Sequence, residues 1–330
     1  LVKRRITFRG VEKYMDELQD LFYENSFNPK EKPEDLTDRI LGNLSAVTQV
    51  LRDNHDGLFV EIVEDLRRKV QTFGCYFTTL DIRQDSSALR ETFDWLVKTY
   101  PKETKIDLKD IEGSEQEKEK HIQFSEATLD LKGDVAPLVE DTIRVIRLIK
   151  EIQESGSERA VQRFIISNSQ QASDIVGLMQ LFLWQGWTKK DLTIDFVPLF
   201  ETVEDLKHAA EVMRSLYANP SYAAHLKKRG NKQTIMLGFS DSTKDGGYLM
   251  ANWSIYKAKI ELTSISREYD VDLVFFDGRG GPPARGGGKT QRFYASMGKE
   301  IENNHIQLTI QGQTISSQYG SLDSAKYNIE

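Results

Sequence analysis

Cysteine is almost absent from this chain: Cys75 stands alone. One thiol cannot build a disulfide framework, and no zinc-ligand spacing accompanies it, so the chain reads as cytoplasmic. Proline is scarce, at 8 in 330 residues, and 39% of residues are hydrophobic, a composition that supports a large packed core. Long hydrophobic runs are missing. The most apolar stretch, residues 175–187, is too short for a membrane span and is interrupted by Gln180 and Gln185, so it reads as a buried helix. Basic residues do not dominate, with 44 Lys and Arg against 51 Asp and Glu and a net charge of −7. That balance argues against a nucleic-acid partner, yet a few arginines in a cleft can still hold an anion.

Histidine is equally sparse. The five, at positions 55, 121, 208, 225 and 305, follow no catalytic spacing; His208 and His225 fall in helical stretches and read as surface or core-edge residues. There is no Gly-x-Ser-x-Gly elbow, and Cys75 falls inside a predicted strand, a poor setting for a nucleophile. No secretory signal opens the sequence, since Leu1-Val2-Lys3-Arg4-Arg5 leads into a charged helical pattern. The start lacks methionine, and the chain is expected to be a piece of a longer protein.

What is present is an ordered alternation of helices and strands. Residues 10–68 are helical and amphipathic, with Leu18, Leu21 and Phe22 on one face and Ile40, Leu44, Val47 and Leu51 on another. Predicted strands follow at residues 72–80, 164–166, 193–197, 233–239, 271–276 and 306–310, where β-branched and aromatic residues cluster. Helical patterns fill most gaps, at residues 173–183, 203–217 and 248–269. This order predicts an α/β chain: a partial (β/α)8 TIM-type barrel of about six parallel strands with additional helices. Residues 1–70 form a helical N-terminal segment and 71–330 the incomplete barrel. A charged excursion is expected near 101–121, which is dense in Lys, Asp and Glu.

In such a barrel, chemistry sits where strands run into loops. The strand ends here read Asp81-Ile82-Arg83-Gln84-Asp85, Ser167-Asn168-Ser169, Pro198-Leu199-Phe200-Glu201-Thr202, Ser240-Asp241-Ser242-Thr243-Lys244-Asp245-Gly246-Gly247 and Asp277-Gly278-Arg279-Gly280-Gly281 through Arg285-Gly286-Gly287-Gly288. Glu201 and Asp241, from adjacent strands, fit a Mg²⁺ or Mn²⁺ site completed by water and substrate oxygens, although each also fits a helix N-terminus. Lys244 can hold a small anion or lie on the surface. Arg83, Arg279 and Arg285 have the planar donors that grip phosphate and carboxylate, and the glycines beside the last two let backbone N–H groups approach an anion. The glycine-rich run is not a P-loop, because Pro283 stands where the first glycine is needed. Its Arg-Gly-Gly triplets also differ from RNA-binding repeats, joining a strand to a helix in an acidic chain.

Taken together and in this order, these motifs resemble phosphoenolpyruvate carboxylase, over a span from about Phe73 to Gly288. The resemblance implies a β/α barrel that joins bicarbonate to phosphoenolpyruvate, giving oxaloacetate and phosphate with Mg²⁺ or Mn²⁺. It implies Glu201 and Asp241 as metal ligands and Lys244, Arg279, Arg285 and Arg83 as catalytic. Substrate would be held by Arg83, Arg279, Gly280, Gly281 and Lys244. It also implies a homo-oligomer, a tetramer in full-length form, acting on small molecules without nucleic acid or membrane. Two features depart from the family: Asp277 stands where a histidine usually precedes Gly-Arg-Gly-Gly, and the upstream Thr-Ala-His-Pro-Thr segment is absent. The chain is therefore expected to be a central fragment of a divergent member, inactive alone. The alternatives are another Mg²⁺-dependent barrel enzyme acting on phosphoenolpyruvate or pyruvate, and a non-catalytic anion-binding domain.

Overall fold

The computed structural model describes residues 8–27, 33–106, 124–131, 133–278, 289–310 and 312–329. It divides into two compact units, Leu1–Leu80 with Arg147–Gln162, and Asp81–Ile146 with Arg163–Glu330.

The first unit is built on three helices, α1 (Glu12–Phe27), α2 (Pro33–Asn54) and α3 (Val60–Phe73). Leu18 and Leu21 of α1 and Ile40 and Leu44 of α2 form a buried cluster, against which Val63 and Val70 of α3 pack. These positions recur every three or four residues, as one buried helical stripe requires. Phe22, assigned to that stripe by sequence, is instead half exposed. It sits one position beyond Leu21, which rotates it away from the apolar seam.

The first predicted strand is misplaced. Thr72 and Phe73 complete α3, and Gly74, at φ 54°, ends the helix. Phe73 and Phe77 then stack with ring centroids 5.5 Å apart. The aromatic run thus forms a turn, Cys75 is exposed there rather than held mid-strand, and β1 begins only at Leu80 (Leu80–Asp85).

The second unit carries a six-stranded parallel sheet in the order β1-β2-β3-β4-β5-β6, a partial barrel. Its strands after β1 are β2 (Val161–Ser167), β3 (Asp195–Phe200), β4 (Lys232–Gly238), β5 (Asp272–Gly278) and β6 (Ile306–Leu308). The helices after α3 are α4 (Ser86–Thr99), α5 (Pro101–Thr104), α6 (Pro137–Ser155), α7 (Ala172–Leu183), α8 (Val203–Ala218), α9 (Pro220–Lys228), α10 (Phe239–Glu268), α11 (Thr290–Ala295), α12 (Gly312–Tyr319) and α13 (Leu322–Ile329). Each strand neighbours the next in sequence, as successive β/α units dictate. The predicted charged excursion opens with α5, a single helical turn; its residues 107–121 lie outside the described residues.

Alternation along the strands defines two faces. Ile165, Val197, Leu199 and Phe276 share one buried cluster with Met236. The intervening residues, among them Phe164, Phe196, Phe200, Ile235, Leu237 and Phe275, are buried on the opposite, helix-covered face. Helix α7 is buried along nearly its whole surface, with Trp184 at its end fully enclosed. No helix among the described residues is long and apolar enough to cross a membrane. His225 of α9 is also a core residue, 4% exposed, with Nε2 2.9 Å from the carbonyl of Ile194, and not the surface or core-edge residue expected. His208 lies at the surface in contact with Glu204.

Residues 240–247, read as a loop, are helical for most of their length. Helix α10 starts directly at Phe239, and the Ser242 and Thr243 hydroxyls lie 2.7 and 2.6 Å from the Gly238 and Phe239 carbonyls. Gly247, at φ 77°, breaks α10 into two helical pieces. Hydroxyls bonded to carbonyls four residues back let a polar segment stay helical.

Candidate active site

Arg83, Glu201, Asp241 and Lys244 are all described, in the second unit. Arg279, Gly280, Gly281 and Arg285 lie outside the described residues.

Glu201 is the meeting point of four strand ends. It follows β3 in phase with Val197 and Leu199, so the alternation brings it to the barrel face. From β1, the Arg83 Nη2 donates to its Oε1 at 2.7 Å. From the end of β2, the backbone N–H of Asn168 lies 3.3 Å from its Oε2. Asn168 has φ 54°, a left-handed conformation that asparagine tolerates better than most residues. From the helix that follows the fourth strand, the Ser242 hydroxyl is 2.6 Å from the Glu201 carbonyl and 2.7 Å from that of Gly238, so its single proton serves one carbonyl at a time. Gly238 leaves little room for a side chain: a Cβ there would lie 3.1 Å from both Cα and Cγ of Glu201.

Capping roles fall to other residues. Thr202 is the N-cap of α8, in a capping box with Asp205, and Asp85 caps α4 by accepting from the Ser87 N–H at 2.9 Å. Glu201 therefore does not cap the helix that follows it. Asp241 does lie in the first turn of α10, where its charge suits the helix N-terminus. Lys244 Nζ is 2.8 Å from Asp241 Oδ1, and both side chains are substantially exposed. The two acidic residues nominated as metal ligands are thus each paired with a nominated basic residue. Glu201 is the better shielded, at 16% exposure. Among the described residues, no group of three or more His, Cys, Asp and Glu is placed to hold a metal ion. Two carboxylates are hard oxygen donors, so a divalent ion there would draw its other ligands from water and substrate.

The sequence motifs contained Asp81 without assigning it a role and did not include Arg163. Arg163 of β2 reaches across to β6, its Nη1 donating to Gln307 Oε1 at 2.7 Å. Burial raises the carboxyl pKa of Asp81 in β1, opposed by the charge of Arg163. Arg163 shares the barrel face of β2 with the buried Ile165 by period-2 alternation. Asp277 occupies the other face. It alternates with Phe276 and turns to the helix layer, where Oδ2 meets Lys259 Nζ at 2.7 Å and the Tyr294 hydroxyl at 2.6 Å.

Comparison with known proteins agrees with this architecture. The family model described as Phosphoenolpyruvate carboxylase matches residues 10–330. The chain is 31% identical over 311 residues to a phosphoenolpyruvate carboxylase of Corynebacterium diphtheriae, covering 91% of this chain and 34% of the relative. It is 33% identical over 300 residues to one of Nitrosomonas europaea, covering 87% and 32%, and 33% identical over 279 residues to one of Nitrosomonas eutropha, covering 81% and 29%. The chain spans about a third of the length of these curated relatives. By its family match across nearly the whole chain, it belongs to the phosphoenolpyruvate carboxylase family.

Proposed function

We propose that this chain supplies part of the active site for carboxylation of phosphoenolpyruvate by bicarbonate, giving oxaloacetate and phosphate. The observation that carries the reading is the pair of contacts at successive strand ends, Arg83 with Glu201 and Lys244 with Asp241. Each carboxylate is in contact with a cationic side chain, a partner that another positive group could replace. Mg²⁺ or Mn²⁺, held by Glu201 and Asp241, would supply Lewis-acid stabilisation of charge on phosphoryl and enolate oxygens.

In this reading a bicarbonate oxygen attacks phosphorus, the ester P–O bond breaks, and carboxyphosphate and the pyruvate enolate form. Carboxyphosphate releases CO₂ and phosphate, and the enolate carbon takes up the CO₂. Arg83 binds phosphoryl or carboxylate oxygens through its planar donors. Lys244, exposed at the barrel mouth, orients the small bicarbonate anion, while Arg279 and Arg285 with Gly280 and Gly281 complete the anion site. Positioning and fixed positive charge do most of the work in phosphoryl transfer. The complete protein is cytoplasmic and homo-oligomeric in this proposal, a tetramer by family resemblance. The 330-residue chain alone has little or no activity; bicarbonate-dependent turnover by it near that of a complete enzyme would overturn that part.

The test is oxaloacetate formation by the full-length parent protein, coupled to malate dehydrogenase, with and without bicarbonate and divalent metal. Lys244→Ala and Asp241→Ala should each lower kcat by about 10²–10³, the scale seen when one preorganised charge-stabilising group is removed. A folded, metal-supplied parent that makes no bicarbonate-dependent oxaloacetate would refute the reading.

A further inference from the structure

We propose that Asp277, Lys259 and Tyr294 form a clasp that fixes the two ends of the glycine-rich stretch, and that Asp277 is a positioning residue rather than one that touches substrate. The topology makes the case first. Asp277 is the penultimate residue of β5, immediately before the stretch begins, and Tyr294 lies on α11, which starts just after it. Lys259 belongs to α10, the helix between β4 and β5. One carboxylate therefore joins three elements that are separate in sequence, and two of them flank Arg279 and Arg285.

The contacts are close and shielded. Asp277 Oδ2 takes both Lys259 Nζ at 2.7 Å and the Tyr294 hydroxyl at 2.6 Å. The Asp277 and Lys259 side chains are 0% and 1% exposed, and Tyr294 is buried too. The ammonium also lies 5.0 Å from the Phe275 ring and 5.4 Å from the Tyr294 ring. Burial and the neighbouring carboxylate raise the Tyr294 pKa, so the phenol remains a donor.

A buried ion pair adds little stability over a well-packed apolar substitute, but it is strongly directional. Three apolar side chains would fill this space without fixing how β5 leaves the sheet or how α11 returns to it. The face decides between positioning and catalysis. Phe276 joins the barrel-side cluster, and Asp277 points to the opposite, helix-covered side. Asp277 Oδ1 is buried and has no hydrogen-bond partner among the described residues.

The kinetic arm rests on the proposed carboxylation; the exchange arm does not. Amide hydrogen exchange should be followed by mass spectrometry in the full-length parent and in Tyr294→Phe, which removes only the hydroxyl. Loss of a hydrogen bond to a charged group should speed exchange about tenfold or more in peptides spanning residues 278–294, with β3 and β4 unchanged. KM for phosphoenolpyruvate should rise by a similar factor while kcat changes less. The double variant Asp277→Asn/Lys259→Met, which removes both charges together, should reproduce the local exchange effect. Unchanged exchange in both folded variants would overturn the clasp. Faster exchange with unaltered kinetics in an active parent would overturn the positioning role. Faster exchange in a parent without carboxylase activity would support the clasp and reject the proposed reaction.

Discussion

Removing the Lys259 ammonium tests how much the second unit depends on its buried ion pair. In Lys259→Met a flexible apolar chain of similar length fills the space, but Asp277 keeps its charge. Among the described residues, Oδ1 has no partner to compensate, and Oδ2 retains only the Tyr294 hydroxyl. Breaking a buried pair from one side costs about 3–5 kcal/mol because it strands a charge in a poorly solvated place. For a unit of this size, with about 2–4 °C per kcal/mol, the melting temperature should fall by about 6–20 °C. Adding Asp277→Asn to Lys259→Met removes the stranded charge, and the remaining cost should be about 1–3 kcal/mol, from amide hydrogens that find no acceptor. The second substitution should therefore restore stability to the first. Chemical and thermal denaturation at neutral pH, in low salt and in high salt, is the assay. A shielded pair should respond little to ionic strength. A Lys259→Met cost below about 1 kcal/mol, or a double variant less stable than Lys259→Met, would refute the reasoning.

Three further outcomes follow from single residues. Burial lowers the pKa of His225 from 6.5 to about 4, so the unfolded chain binds a proton there that the folded chain does not. Stability from this group is present above pH 6.5 and lost as pH falls toward 4, by about 3 kcal/mol in all. His225→Gln should flatten that slope in denaturant titrations, and an unchanged slope would contradict it. Gly238→Ala should cost about 1–3 kcal/mol and lower activity of the parent protein, because the new methyl must push Glu201 by a few tenths of an ångström. Wild-type stability and kinetics would show that the contact yields freely. Arg83→Gln should leave the fold intact and lower kcat/KM of the parent by about 10²–10³, the half-exposed guanidinium having a ligand role more than a structural one. Equal catalytic efficiency would remove Arg83 from the site.

The sequence was most legible where packing and chemistry impose a period, and least where they conflict. Strands β2 to β5 are apolar on both faces in their centres, so they stand out with only their ends displaced. Strand β1 does not. Leu-Asp-Ile-Arg-Gln-Asp offers little apolar signal because it carries candidate site residues and is not buried like its neighbours. The preceding aromatic run looked more strand-like but was ended by Gly74 and the Phe73–Phe77 stack. The polar segment after β4 misled in the reverse sense. Its serines and threonine read as a loop because their hydroxyls favour local backbone bonds, and here those bonds run to carbonyls within the same helix. At the site, residue types and strand-end positions nominated Arg83, Glu201, Asp241 and Lys244, yet no spacing could say which acid faces which base. That pairing depends on two strands separated by β2 in the sheet, with Arg83 and Glu201 118 residues apart, whereas Lys244 and Asp241 lie three apart on one helix. Lys259 stayed invisible for the same reason. In sequence it is one lysine on an amphipathic helix, and only the fold brings it against Asp277, where the two buried charges meet.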